Sequence, residues 1–242
     1  MGSSIILCEG ETDQALLGCY LEKTAGWSFA KDQKADLFPL EQVVWYKDGH
    51  NNLKGIWQVG GNDFTDAVQK VLDRELLEHQ FDHLVIVTDN DDSAEVRERL
   101  QEVLKTVAAV SRGCKLGEEC EENQWGSFII ENSFSRSEIQ FLYLLVPMQE
   151  TGALETFMMN SLSEQSEEKR NVIDQSKVFV KGFQSDCYLK QRREKVKAEL
   201  GVSLSVFSPD RIFTTMKELI DSVEWERFST THEQFELLKQ VY

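Results

Sequence analysis

Two groups of carboxylates stand directly after apolar runs in this 242-residue chain. Glu9, Glu11 and Asp13 follow Ile5-Ile6-Leu7-Cys8, and Asp89, Asp91 and Asp92, with Asn90 among them, follow the run from His83 to Val87 and Thr88. Unpaired charge is costly to bury, so acids at the mouth of a buried strand call for a partner. Carboxylate oxygens are hard donors, and one or two of them, with water and substrate phosphate, form the usual surroundings of Mg²⁺. Such a set can hold Mg²⁺ or Mn²⁺, activate water and neutralise charge at a scissile phosphate. The local alternative is that Glu9 and Asp13 are helix-entry acids, and that Asp89-Asn90-Asp91-Asp92 is a turn and helix cap. Asp92 is read as the cap.

The elements that must position these residues follow from apolar spacing. An apolar strand ends at Cys8, and Ala15, Leu16, Cys19 and Tyr20 then repeat at helical spacing until Gly26. Residues 27–55, rich in Lys, Asp and Asn, form an excursion, with a hairpin as its expected shape, before a short strand at 56–59. Gly60-Gly61 makes a sharp turn, Asn62 or Asp63 can cap a helix, and Phe64, Ala67, Val68, Val71 and Leu72 form its stripe. The run His83 to Val87 has the pattern of a strand buried on both faces of a parallel sheet. A further helix carries Val96, Leu100, Val103, Leu104 and Val107.

Three strand-helix units in succession predict an α/β fold: an open, mainly parallel sheet flanked by helices, with a mainly helical C-terminal part. Strands are expected at 128–130 and 140–146, and helices beginning near Ala153, Glu164, Ser185, Pro209 and Thr231. The division expected is an α/β core over residues 1–150 and a helical region over 151–242 packed on it. In an open sheet, sites gather at the C-terminal ends of strands. If the strands before Glu9 and Asp89 are neighbours, Glu9, Asp89 and Asp91 converge.

Composition bounds the function. The formal charge of −16 repels DNA over the chain as a whole, so any nucleic-acid role needs metal ions, a local basic face or a partner. The tract Glu118 to Glu122 is expected to be a solvated acidic loop. Cys8, Cys19, Cys114, Cys120 and Cys187 lack the spacing of a zinc site, and the four histidines form no ligand motif. No apolar run reaches the ~18 residues of a membrane span, and the expected location is cytoplasmic.

"CEGETD" after one apolar strand and "VIVTDND" after another resemble the Toprim domain, in which a strand ending in Glu-Gly is followed later by one ending in Asp-x-Asp. "VGGNDF" and "LLVPMQETGALETFM" are similar to a group of small stand-alone Toprim-like proteins allied to the OLD (overcoming lysogenization defect) nucleases. The resemblance covers residues 4 to 110, with a weaker extension to about 200. It implies that Glu9 acts as general acid or base, or as ligand, and that Asp89 and Asp91 hold Mg²⁺ or Mn²⁺. Asp13 and Glu155 would complete a second metal site, although Glu155 fits equally well as an acid in the first turn of a helix. Lys181, in "FVKGF", would supply a cation to the phosphate transition state, as a late lysine does in OLD-type relatives; otherwise it is a solvated lysine. The tract Lys190 to Lys197, with Tyr188 nearby, is the one basic stripe, suited to a phosphate backbone or to a solvated helix face.

The leading expectation is a divalent-metal-dependent phosphodiester hydrolase acting on nucleic acid. The alternative is a non-catalytic metal-binding or interaction module in a DNA-repair or anti-phage assembly. OLD-group Toprim domains are often joined to an ATPase, and this sequence has no G-x-x-x-x-G-K-[ST] loop, so an ATPase partner would act in trans. A phosphoacceptor receiver also uses strand-end acids, but Glu9-Gly10-Glu11 matches its acid pair poorly.

Overall fold

Ile5, Ile6, Leu7 and Cys8 are all completely buried, which requires cover on both faces of the strand that carries them. That strand is β1 (Ser4–Cys8) in the computed structural model, which describes residues 2–30, 43–61, 63–78, 81–90, 93–110, 120–131, 136–183, 188–211 and 214–242. Asp91, Asp92, Asn62, His79, Cys114, Cys187 and Glu118-Glu119 lie outside the described residues, so the expectations placed on them are not addressed by the structure.

The chain continues through α1 (Glu11–Ala25), β2 (Ser28–Phe29), β3 (Val43–Lys47), β4 (Leu53–Gln58), α2 (Thr65–Glu78), β5 (His83–Asp89) and α3 (Ser93–Val110). It then forms β6 (Trp125–Glu131), β7 (Arg136–Val146), α4 (Leu154–Ser163), α5 (Glu167–Lys181), α6 (Arg192–Phe207), α7 (Met216–Asp221) and α8 (Ser229–Gln234). The sheet order is β2-β3-β4-β1-β5-β7-β6. The central four strands, β4, β1, β5 and β7, run parallel, while β3 and β6 pair antiparallel at the two sides. The fold is therefore the open, mainly parallel α/β sheet expected. The strand placed at 56–59 begins earlier, at Leu53, and pairs antiparallel with β3, so the hairpin here has that strand as its second arm instead of lying wholly within 27–55.

Alternation along each strand divides the core in two. Ile5, Leu7, Leu84, Ile86, Phe141 and Tyr143 face α2 and α3, packing with Phe64, Val68, Val96 and Leu100. Ile6, Cys8, Val85, Val87, Leu142 and Leu144 face α1 and the C-terminal helices, packing with Leu17, Tyr20, Phe157, Trp225 and Phe235. Residues of the C-terminal region thus pack on the sheet. Cys8 and Cys19 are buried in this second layer.

One helix start differs from expectation. Ser208-Pro209 opens only a three-residue 3-10 turn (Pro209–Arg211); α7 starts later, where Thr215 accepts from the Glu218 N–H at 3.3 Å and Glu218 Oε2 accepts from the Thr215 N–H at 3.0 Å. That reciprocal box satisfies two helix-end donors, which the proline start lacks. Ser185, near which a helix was expected to begin, lies outside the described residues; α6 begins at Arg192, where the Gln191 N–H donates to Glu194 Oε2 at 2.9 Å.

On the face away from α2 and α3, Lys54 of β4 is completely buried. Its Nζ donates to the carbonyl oxygens of Gly2 at 2.6 Å and Val241 at 2.9 Å, and lies 3.5 Å from Asp48 Oδ2. Among the described residues no helix is long and apolar enough to cross a membrane.

Candidate functional site

β1 is bordered by parallel neighbours on both sides, and the connections leaving it and β5 run in opposite directions: β1 leads through α1 and the hairpin to β4, β5 through α3 to the β6–β7 side. The crevice between the ends of β1 and β5 is therefore a topological switch point, the place where open sheets bind ligands. Glu9 follows β1 directly, and Asp89 ends β5.

Hydrogen bonds fix both side chains. The Thr88 hydroxyl donates to Glu9 Oε1 at 2.6 Å, and the Asp89 backbone N–H donates to the same oxygen at 3.0 Å. Arg99 of α3 brings Nη1 to 4.0 Å from it. Asp89 Oδ1 accepts the Leu154 N–H at 3.0 Å, the first N–H of α4, where the positive end of the helix dipole favours an anion. One oxygen of each carboxylate is thus held by a backbone donor. Among the described residues neither Glu9 Oε2 nor Asp89 Oδ2 makes a hydrogen bond.

Two further acids reach the same crevice. Asp13, in the first turn of α1, accepts the Gly10 N–H at 3.1 Å and so caps its own helix. Glu155, in the first turn of α4, is buried, and its Oε1 lies 3.7 Å from Lys197 Nζ. For both residues the local reading is observed, since each is a first-turn acid, yet each also faces the switch point electrostatically. Burial, then repulsion from Glu9 and Glu155, pushes Asp13 up to about 7. Burial, then repulsion from Glu9 and Asp13, pushes Asp89 up to about 8, against the Leu154 hydrogen bond, which lowers it. The same surroundings, burial first and then Asp13 and Glu9, push the Cys8 thiol far up, which leaves it unreactive.

The structure therefore brings together Glu9, Asp13, Asp89 and Glu155. Asp91 lies outside the described residues. Lys181 does not join the group: it is the exposed last residue of α5, and no hydrogen bond or ion pair links it to the four acids among the described residues. Among the described residues, too, no three His, Cys, Asp or Glu side chains are grouped closely enough to enclose a metal ion. The donor set is four buried acids rather than an enclosing cage, and all its donors are carboxylate oxygens. That chemistry fits Mg²⁺ or Mn²⁺, which keep much of their water, and does not fit Zn²⁺, which favours nitrogen and sulfur.

Three contributors were not singled out from sequence. Thr88 and Arg99 hold Glu9, and Asn90 holds the loop that leads into α4. Asn90 Nδ2 donates to the carbonyls of Pro147 at 2.9 Å and Glu150 at 3.0 Å, and its own carbonyl accepts the Gly152 N–H at 2.6 Å. Thr88 and Asn90 flank Asp89, so their position next to a strand-end acid was a usable signal; Arg99 offered none, being one charge among many on an amphipathic helix.

Gly60 and Gly61 both donate their N–H groups to the Glu9 carbonyl, each at 3.1 Å, and Gly60 has φ +84°. The glycine requirement is structural, as expected, but its effect falls on Glu9 itself. Gly60→Ala should cost about 1–2 kcal/mol by forcing an L side chain into the left-handed region. Urea unfolding would measure that loss, and a cost near zero would show that the turn adapts without disturbing Glu9.

Over residues 3–241 the chain matches the family described as "Protein of unknown function (DUF3226)". Among curated proteins none matches the sequence. The fold is similar to that of a hypothetical protein from Pyrococcus horikoshii OT3 in its crystal structure, with a TM-score of 0.52 and 16% identity over 99% of both chains.

Proposed function

The chain belongs to the DUF3226 family, and from the chemistry of its switch-point crevice we propose that it is a divalent-metal-dependent phosphodiester hydrolase of the Toprim type. The observation that carries this reading is the pair of oriented carboxylates at the ends of adjacent parallel strands, Glu9 and Asp89, each with one oxygen held by a backbone N–H. Asp13 and Glu155 support it as neighbouring acids within electrostatic reach of the pair.

Glu9, Asp89 and Asp91 would hold Mg²⁺ or Mn²⁺, with Asp13 and Glu155 serving a second ion. Bound there, the metal would supply a lowered pKa for its water and charge neutralisation at the phosphate. The residues around it have their own tasks. Thr88 and Arg99 hold Glu9 in one orientation, and the α4 N-terminus holds Asp89. Arg99 and Lys197 offset part of the negative charge, and the excess is met by protons on Asp13 and Asp89 up to about pH 7 and 8. A divalent cation would displace those protons, so binding would release them into solution. Lys181 keeps the role of phosphate cation only if substrate or chain movement brings it to the rim.

A second reading has its own support. Oε1 of Glu9 already accepts from Thr88 and Asp89 and lies near Arg99, contacts that make it a fixed anionic ligand rather than a base and so suit a non-catalytic metal-binding module.

Isothermal titration of Mg²⁺ and Mn²⁺ into wild type and Asp89→Ala, followed by nucleic-acid cleavage on the same samples, separates these readings. The hydrolase reading expects metal binding and cleavage in wild type, both lost in a folded Asp89→Ala. Binding without cleavage favours the module. Equal behaviour of the two proteins would return the strand-end acids to the role of caps and turns.

A further inference from the structure

The positive charge of this acidic chain is concentrated at one end of the α5–α6 pair. Between Lys177 and Lys197 there are seven Lys or Arg and two acids, Asp186 and Glu194, a net of +5 within a chain of net −16. Lys181, Lys190, Arg192, Arg193, Lys195 and Lys197 are exposed. Among the described residues no ion pair joins Lys181, Lys190, Arg193 or Lys195 to a carboxylate.

Aromatic side chains are exposed among these cations. Phe179, Phe183 and Tyr188 are 56%, 55% and 75% exposed. The rings of Phe179 and Phe183 meet edge to face with centroids 5.0 Å apart. Tyr188 follows Phe183 by five residues, a reach of at most about 18 Å. A single exposed apolar residue is ordinary, but three aromatic rings beside six exposed cations form a patch of defined chemistry.

Cations interleaved with exposed rings match single-stranded nucleic acid, whose phosphates attract Lys and Arg and whose unpaired bases stack on aromatic faces. A duplex would engage the cations but leave the rings unused. An anionic bilayer is the competing occupant, and position decides against it. The basic face runs onto the acidic crevice: Arg192 Nη2 donates to the Thr151 carbonyl at 3.3 Å, and Lys197 Nζ stands 3.7 Å from Glu155 Oε1. A flexible strand laid along α6 is led to the carboxylate rim, whereas a membrane surface has no use for that continuity.

We infer that this end of the α5–α6 pair is a docking surface for single-stranded nucleic acid. Lys181, Lys190, Arg193 and Lys195 take phosphates; Phe179, Phe183 and Tyr188 take bases. That the docked strand is also the substrate rests on the hydrolase reading above, whereas the docking itself does not.

The test is fluorescence anisotropy of labelled oligothymidylate in EDTA, so that binding is measured apart from metal chemistry. The variants are R193E/K195E and F179S/F183S, whose exposed positions leave the core intact, as a circular-dichroism melt would verify. Wild type should bind, and R193E/K195E should weaken binding at least about tenfold at low salt and reduce the slope of log affinity against log salt by about 1.4. F179S/F183S should weaken single-strand binding by about tenfold while leaving duplex binding little changed. No binding by wild type, equal binding by the variants, or binding to phosphatidylglycerol vesicles in place of the oligonucleotide would overturn the assignment. Tip-dependent binding without any cleavage would keep the docking surface and remove the hydrolase reading. Metal-dependent hydrolysis of bis(p-nitrophenyl) phosphate without oligothymidylate binding would do the reverse.

Discussion

Asp89→Asn is expected to raise the stability of the metal-free protein at pH 8 and to remove its stabilisation by Mg²⁺. The Asn carbonyl oxygen can still accept the Leu154 N–H, so the helix contact survives while the charge is lost. In wild type, burial and the Glu9 and Asp13 carboxylates lift Asp89 to about 8, far above the ordinary 3.8 of the unfolded chain. The folded protein therefore binds more protons than the unfolded one between these values. The stability that Asp89 contributes is full below about pH 4 and is lost progressively as pH rises through about 8. Asp13, lifted to about 7, contributes in the same direction.

Each unit of displacement corresponds to about 1.4 kcal/mol, and Glu9 and Asp13 continue to repel each other in the variant, so a gain on the order of 2–4 kcal/mol at pH 8 is expected. Thermal melts from pH 5 to 8.5, with and without Mg²⁺, would measure it. Wild type should lose stability with rising pH and recover it with Mg²⁺, most strongly at the alkaline end; Asp89→Asn should show a flatter profile and no recovery. A wild type whose melting temperature is unchanged from pH 5 to 8.5 and by Mg²⁺ would show that the four acids do not share one crevice in solution.

The other large effect concerns Lys54, and it is one of stability rather than chemistry. Lys54→Ala should cost about 3–5 kcal/mol, because it deletes a fully buried chain and strips the Gly2 and Val241 carbonyls and the Asp48 carboxylate of a charged donor. Asp48 keeps its bonds from the Asn52 and His50 N–H groups, which limits the loss. Lys54→Met preserves most of the packing and should cost less, about 2–3 kcal/mol, through the unsatisfied acceptors alone. Urea titration of the three proteins at neutral pH gives both numbers. Losses below about 1 kcal/mol for both variants would show that water replaces the ammonium, and that the lysine clasps nothing.

Lys54 also shows where sequence reasoning stops. It sits among Asp, Asn and Lys residues in a stretch with the composition of a solvated excursion, and its own strand was expected to begin after it. What buries it is Gly2, Val241 and Asp48, brought together only by the fold. Arg99 is illegible for the same reason: its approach to Glu9 depends on α3 sharing a core layer with β1, far away in sequence. Glu9 and Asp89, by contrast, were legible because a continuous apolar run that ends abruptly in an acid marks both a buried strand and its exit. Their convergence needed one further condition, adjacency of β1 and β5, and the pairing supplies it. Asp13 and Glu155 were legible as first-turn acids, but sequence spacing could not tell a helix-entry acid from one that faces the crevice; their burial and mutual repulsion carry that distinction.

The hydrogen bonds around Glu9 have a consequence for how the protein acquires its site. Its carbonyl is held by Gly60 and Gly61, about fifty residues on, and its carboxylate by Thr88 and Asp89, about eighty residues on. The first pair forms only when β4 zips onto β1 and the second only when β5 does, so Glu9 is fixed entirely by contacts of long sequence separation, the slow kind to form. A nascent or partly unfolded chain therefore has no assembled group of carboxylates to offer. Any ion that binds here binds the completed sheet alone, and its binding free energy protects the whole core against proteolysis rather than a local loop.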